Sequence, residues 1–213
     1  TNTSHAMAAG LGGGFAGIGI AGAVANIGGS AAAHSDGTVD SDSLTVKGIA
    51  TNDADASGAA LAGGLLAVSV NYSNADIHDT VSARLGAGSH TSTAHDVLVL
   101  ASATNKAHAE GLGVTVGGIA IGGMVTTASV GAGVGVDEVV ASIDAGAQIT
   151  NARFVTVQAI SSGEAYAEGE SAGGGAISVT GSLAETSSDQ TTRVNIGAGA
   201  KVTAQSVSLL SNN

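Results

Sequence analysis

Self-similarity limits the fold of this chain more than any other feature of its sequence. Residues 81–111 align without a gap to residues 139–169, 58 positions later, and residues 44–58 align to residues 97–111 at an offset of 53. A chain that recurs at a period of roughly 50 residues forms a row of equivalent structural units, each resting on its neighbours. The sequence therefore predicts a repeat architecture.

We divide the chain into four repeats, 1–50, 51–103, 104–161 and 162–213, which form one continuous array. Each repeat begins with an Ala-x-Ala alternation and continues with a Gly-rich apolar stretch and a polar acidic turn. A V-x-A-x-I-G-A-G-A segment and a V-x-V-x-A segment complete it. All of these segments alternate with period two, which is typical of β-strands. No segment has a 3.6-residue period with capping signals, so we expect an all-β fold.

Comparison of the repeats predicts which side chains point inward. We align residues 6–10 with residues 107–111, which makes Met7, Asp55, His108 and Tyr166 equivalent. A position that accepts four such different residues is expected to face solvent. Its small neighbours are expected to point inward as ladders, as are three aliphatic residues near the repeat ends: Ala54, Ala107 and Ala165; Ala56, Ala109 and Ala167; and Leu85, Ile143 and Ile196.

These strands favour a parallel β-solenoid, in which each coil pairs its backbone with the next. We expect about two coils per repeat, which at roughly 4.8 Å per coil gives a rod about 40 Å long. The alternative is a set of stacked β-hairpins or a β-prism, because the Gly-rich stretches are long enough to fold back.

The composition limits the width of the core and the classes of partner that the chain can bind. The chain has 34 Gly, no Pro and four aromatic residues, so its core must be narrow and filled by small aliphatic side chains. Six Lys and Arg oppose 17 Asp and Glu, for a net charge of −11. This charge repels phosphate, so we expect no nucleic-acid partner.

Two uncharged stretches, residues 7–33 and 111–136, are long enough to cross a membrane as helices. The equivalent stretch of the fourth repeat contains Glu170 and Glu185, and that of the second contains Asn71 and Asn74. Charges and amides are costly inside a membrane, so we expect strands and no membrane insertion.

Only one group of residues suggests a metal site. Asp36, Asp40 and Asp42 form the densest carboxylate cluster, and calcium prefers oxygen-rich acidic loops. Their spacing does not match an EF-hand, and a solvated turn is the alternative interpretation. Residues 132–140 miss the calcium-binding nonapeptide by one residue and occur as a single copy, whereas that motif works in tandem.

The catalytic motifs lack their context. Gly169, Ser171 and Gly173 match the G-x-S-x-G nucleophile elbow, but the last His of the chain is His108, and that mechanism needs a later one. The G-x-G-x-x-G pattern that starts at Gly12 is followed by no helix pattern. We therefore expect no catalytic residue, no cofactor site and no enzymatic activity.

The order A-x-A, G-G-x-x-A, I-G-A-G-A and V-x-V-x-A-x-A resembles the β-strand repeats of giant bacterial surface and secreted adhesins, including leukotoxin-type filamentous adhesins. The resemblance covers the whole chain. It implies an extracellular, secreted or cell-surface scaffold, of the kind used in cell adhesion and biofilms. The opening TNTSHAM matches the middle of a repeat, so we expect a segment of a larger protein. In the first repeat, HSDGTVDSDS replaces the I-G-A-G-A segment, which predicts an altered or shortened coil there.

We expect a rigid stalk or cell-attachment scaffold that contacts neighbouring repeats of the same protein and a cell-surface or polysaccharide receptor. One alternative is a self-assembling extracellular filament, formed by end-to-end β-pairing of open coils. A third hypothesis is a β-helical polysaccharide-active enzyme. That enzyme needs clustered carboxylates with basic or aromatic sugar contacts, and both kinds of contact are sparse here.

Overall fold

The computed structural model describes residues 1–131 and 137–213, and β-strands account for most of them. In chain order these are β1 (Asn2–Gly12), β2 (Ala16–Ser35), β3 (Thr38–Ser41), β4 (Leu44–Leu85), β5 (His90–Thr93), β6 (Asp96–Val130), β7 (Asp137–Ile143), β8 (Gln148–Gly174), β9 (Ile177–Ser188), β10 (Gln190–Ile196) and β11 (Lys201–Asn212). The all-β prediction is confirmed. Among the described residues no helix is long and apolar enough to cross a membrane.

Every ladder between these strands is parallel and joins equivalent segments of adjacent repeats. Strands β1 and β2 pair with β4 at an offset of 50 residues, as in Asn2 with Asn52. Strand β4 pairs with β6 at an offset of 53, and β6 pairs with β8 and β9 at an offset of 58. Each repeat therefore contributes one layer to the ladder.

This register corrects two expectations. The expectation of two coils per repeat is wrong. With two coils, paired residues would lie about half a repeat apart in sequence, whereas the observed partners lie a whole repeat apart. Four layers at roughly 4.8 Å give a stack about 19 Å tall, instead of a 40 Å rod. Stacked hairpins are also wrong for the described residues, because a hairpin pairs consecutive strands antiparallel and every observed ladder is parallel.

Each repeat folds back on itself as a flat arch. In the first repeat the chain turns at residues 13–15, and in the second the continuous strand β4 turns at residues 63–65. The two arms of an arch pack face to face through side chains, as where the Asn71 side-chain amide donates to the Gly58 carbonyl at 2.7 Å. Short strands such as β3 and β5 close the opposite end.

The space between the arms has four zones, counted from the turn. The first, which we call the blade, comprises residues 9–20, 59–70, 112–123 and 170–181. The second is a cluster of Ala with a few Ile and Val, including Ala54, Ala75, Ile77 and Ala109. A row of buried Asn and Asp follows. The last zone is the aliphatic cluster, which includes Val81, Leu85, Val99, Ile143 and Val157.

The predicted faces are confirmed. Ala54, Ala56, Ala107 and Ala109 are at most 2% exposed, whereas Tyr166, on the opposite face of its strand, is 47% exposed. Leu85 pairs with Ile143, and Ile143 pairs with Ile196, as the aliphatic ladder required. In the first repeat Ser35 takes the place of Leu85.

The predicted alignment of the first repeat is wrong by two residues. Met7 pairs with Ser57, and it is His5 that shares a row with Asp55, His108 and Tyr166. A slip of two residues keeps every side chain on its face, so alternation does not reveal it. A row of side-chain amides does fix it, because Asn2 donates to the buried Asn52 and Asn52 donates to the buried Asn105, each at 2.8 Å.

The corners near the aliphatic cluster repeat a glycine turn. Gly88, Gly146 and Gly199 occupy equivalent positions with φ of 68°, 71° and 71°, a left-handed conformation that favours glycine. In the first repeat only residues 36 and 37 join β2 to β3, whereas residues 86–89 join β4 to β5. The expected shortened coil is confirmed at this corner.

Candidate interaction face

One outer surface carries a continuous group of titratable side chains, most of them carboxylates, and we call it the acidic face. It consists of the outward residues of four neighbouring strand segments, 3–9, 53–59, 106–112 and 164–170. Parallel pairing places residues that are about 50 positions apart in sequence side by side, one strand spacing from each other. The strands therefore assemble a polar surface that no single segment carries.

Histidines and carboxylates alternate across this face. His5 Nε2 lies 3.9 Å from Asp55 Oδ2, and His108 Nδ1 approaches the same oxygen at 3.8 Å. His108 Nε2 lies 3.2 Å from Glu110 Oε1. These groups are partly exposed, so water screens the pairs and each contributes little to stability.

Tyr166 connects this network to the fourth repeat. Its ring packs at a tilt against His108, with centroids 5.0 Å apart, and its hydroxyl donates to Glu168. The hydrogen bond to Glu168 and the charge of that carboxylate raise the pKa of the Tyr166 hydroxyl. The hydroxyl thus stays a donor and holds the Glu168 carboxylate in place.

A groove of about 530 Å³ lies where the acidic face meets the blade. Small side chains form its floor, namely Ala9, Ser57 and Ala59, while Met7 and Leu112 are longer and border it. The carboxylates Glu110, Glu168 and Glu170 line the other side. No Lys or Arg of the described chain lines this groove.

The three calcium candidates lie apart from this groove. Asp36 sits in the shortened corner, 3.5 Å from His34 Nε2, and Asp42 pairs with His95 Nδ1 at 2.7 Å. Asp40 lies on β3 and lines a small surface pocket with His90 and Thr150. Within residues 1–131 and 137–213, no three His or acidic side chains come together in a way that holds a metal. Of the single-copy nonapeptide, residues 132–136 lie outside the described residues.

The G-x-S-x-G match lies inside a strand. Gly169, Ser171 and Gly173 all belong to β8, which pairs in register with β6 as far as Gly174. The nucleophile elbow needs a sharp turn between a strand and a helix. The motif therefore has none of the geometry that activates a serine.

A buried polar row crosses the interior between the Ala cluster and the aliphatic cluster. The side-chain amides of Asn52 and Asn105 donate to the two carboxylate oxygens of Asp79 at 2.9 and 2.8 Å. The Asp79 backbone N–H donates to Asp137 Oδ1 at 2.9 Å. Burial raises the pKa of Asp137 to about 6, and the neighbouring Asp79 charge adds to this rise. This row holds register and ties the two arms together.

The blade carries its large apolar side chains on the outside. Ile18 and Ile20 are 62% and 68% exposed, whereas Gly17 and Gly19, which alternate with them along the strand, are buried. Equivalent strands continue the same pattern, with outward Leu66, Val70, Ile119, Ile121, Ile177 and Val179. These outward side chains are neighbours across the ladders and form one apolar surface.

Sequence reasoning missed both the groove and the buried Asn–Asp row. The signal for the row was present, because Asn52 and Asn105 recur at an offset of 53 within matching T-N-x-A segments. The groove had no such signal, since its shape depends on the sizes of side chains contributed by four different repeats.

No protein-family model, no curated protein and no solved structure matches the chain. Its residues and their geometry are therefore the only basis for assigning a function.

Proposed function

We propose that the chain is a segment of a parallel β-solenoid that serves as a rigid stalk or cell-attachment scaffold in a large extracellular bacterial protein. The register carries this proposal. Parallel ladders link each repeat to the next, and the longest joins residues 44–77 to residues 97–130, so every repeat extends the same layered core. The extracellular setting and the adhesive role rest on the resemblance of the repeats to bacterial adhesins.

The distribution of variable residues supports a scaffold over an enzyme. The row His5, Asp55, His108 and Tyr166 changes chemistry at each layer, whereas the inward rows that contain Ala54 and Ala56 keep small side chains in all four layers. The histidines and carboxylates of the acidic face also lie on an open surface, and catalytic groups instead need a water-excluding pocket.

Small-angle X-ray scattering of the purified chain over a concentration series tests the architecture. Arms of 20 residues, as in Ala16–Ser35, at roughly 3.3 Å per residue make a slab about 65 Å long and about 19 Å tall. We expect a radius of gyration of about 20 Å that does not change with concentration. A value of about 17 Å, as a compact globule of this length gives, contradicts the proposal.

A second candidate function is an extracellular filament formed by end-to-end pairing. The observation that favours it is the parallel register that joins the four layers. Each layer presents the same pattern of backbone donors and acceptors to the next, so a second copy can continue the ladder in the same way. Unpaired strand edges recruit further strands.

Electron microscopy of the same concentration series separates the two functions. Filaments of constant width that lengthen with concentration support assembly and replace the passive stalk as the main function. Single particles at all concentrations support the stalk.

A further inference from the structure

We propose that the groove between the acidic face and the blade is a binding site for a small cationic amphiphile, an ammonium group on an aliphatic stem. This inference goes beyond the scaffold role and does not depend on it. It uses three features of the groove: its volume, its apolar floor and the sign of its charged side.

The groove exists because side-chain size changes abruptly along two adjacent rows. One row runs from Met7 through Ser57 to Glu110, and the next runs from Ala9 through Ala59 to Leu112. In the first row the short Ser57 lies between the longer Met7 and Glu110, and in the second row the short Ala9 and Ala59 lie beside the longer Leu112. The resulting volume of about 530 Å³ falls in the range of small-ligand sites.

The backbone beneath the floor is fixed from inside the arch. Asn71, which is 1% exposed, donates its side-chain amide to the carbonyl of Gly58 at 2.7 Å. Any Cβ at Gly58 would overlap the Asn71 side chain, so the arms are in close contact here. A pre-formed floor lowers the ordering cost of binding.

The carboxylates that line the groove favour a positively charged ligand. Glu110, Glu168 and Glu170 line one side, and two of them are already oriented, Glu110 by His108 at 3.2 Å and Glu168 by the Tyr166 hydroxyl. Glu170 lies directly beside Leu112 in the ladder, which places a carboxylate next to the apolar floor. An ammonium group on a short alkyl chain satisfies both surfaces at once.

The test is a nuclear magnetic resonance titration of the full ¹⁵N-labelled chain with three ligands that share one stem: hexylammonium, 1-hexanol and hexanoate. We expect hexylammonium to shift the backbone amide signals of residues 57–59 and 110–112 saturably, 1-hexanol to bind more weakly, and hexanoate to leave the signals unchanged. Binding of hexanoate as tight as that of hexylammonium overturns the proposal.

Two variants locate the site. Glu110→Gln combined with Glu170→Gln is expected to weaken hexylammonium binding roughly tenfold, whereas Glu185→Gln, on the other outer surface, is expected to leave it unchanged. Ala59→Leu fills the floor with a side chain that Leu112 already presents in the same row, so the fold tolerates it. It is expected to abolish binding of both hexylammonium and 1-hexanol, and unchanged binding contradicts the assignment.

A peptide with one lysine between alanines distinguishes the source of the ammonium group. We expect it to bind no more tightly than hexylammonium, because the site has the volume of a small ligand. Tighter binding of the peptide overturns the small-ligand assignment in favour of a protein partner.

Discussion

The aliphatic cluster and the blade use the same alternating strands in opposite ways. In the aliphatic cluster the large residues point inward, and Leu85, Ile143 and Val99 are fully buried. In the blade the small residues point inward, and Ile18 and Ile20 face solvent. Alternation thus separates two faces of a strand, but the size of the inward side chains decides how closely the arms approach.

The blade shows what this close approach requires. At Gly10 and Gly12 any Cβ would overlap the backbone of Ile20 and Ile18 in the opposite arm. The arms there are in backbone contact, so there is no room for an aliphatic core. Stability in this zone comes from the parallel ladders and from close packing of backbone atoms.

The largest expected effect follows from removing volume in the aliphatic cluster. Ile143→Ala leaves a cavity at a fully buried position, and we expect a loss of about 3 kcal/mol in the free energy of unfolding, measured by urea denaturation. Ile121→Ala, in the blade and 46% exposed, is the matched control, with an expected change within about 0.5 kcal/mol. Equal losses in the two variants refute the difference between the zones.

The next effect concerns the buried polar row that borders the aliphatic cluster. The folded-state pKa of Asp137, about 6, exceeds its ordinary value of 3.8, so the fold disfavours the charged form. This cost is absent below about pH 4 and complete above about pH 6. We expect Asp137→Asn to stabilise the chain by about 2 kcal/mol at pH 8 and hardly at all at pH 3.5.

Urea denaturation at both pH values checks this expectation. Asp53→Asn, an exposed carboxyl on the acidic face, serves as the control and is expected to change stability little at either pH. If Asp137→Asn shifts stability equally at pH 3.5 and pH 8, ionisation of this buried carboxyl is not the cause.

The smallest effect comes from adding volume inside the blade. Gly10→Ala forces the arms apart at Ile20, and we expect a loss of about 1 kcal/mol, seen as a lower melting temperature. Gly22→Ala adds the same methyl group where no atom lies within 4 Å, so it is expected to be neutral or slightly stabilising. A greater loss from Gly22→Ala than from Gly10→Ala contradicts backbone contact between the arms.

Sequence reasoning predicted the features that period-two alternation controls. It identified the strands, the inward Ala rows and the ladder of Leu85, Ile143 and Ile196, because each recurs at a fixed offset. It did not predict the number of layers per repeat, because alternation identifies the faces of a strand and does not show which segments stack on each other. It also misplaced Met7, since a slip of two residues leaves every face unchanged.

The candidate site was harder to predict from the sequence than the strands were. The acidic face brings together His5, Asp55 and His108 across three repeats, and only the true register shows that they adjoin. The groove depends further on where short side chains fall within a row. The outward aliphatic residues of the blade escaped prediction because hydrophobicity alone assigns Ile18 and Ile20 to a core.

The corners can differ in length from one repeat to the next, whereas the paired strands cannot. The offset between partners changes from 50 to 52 across the corner between β2 and β3, yet pairing resumes in register beyond it. In a protein built this way, every repeat lies at a fixed height along the stack. Each added repeat raises its height by one strand spacing, roughly 4.8 Å, and peptides inserted at the corners can be displayed at chosen heights along one edge.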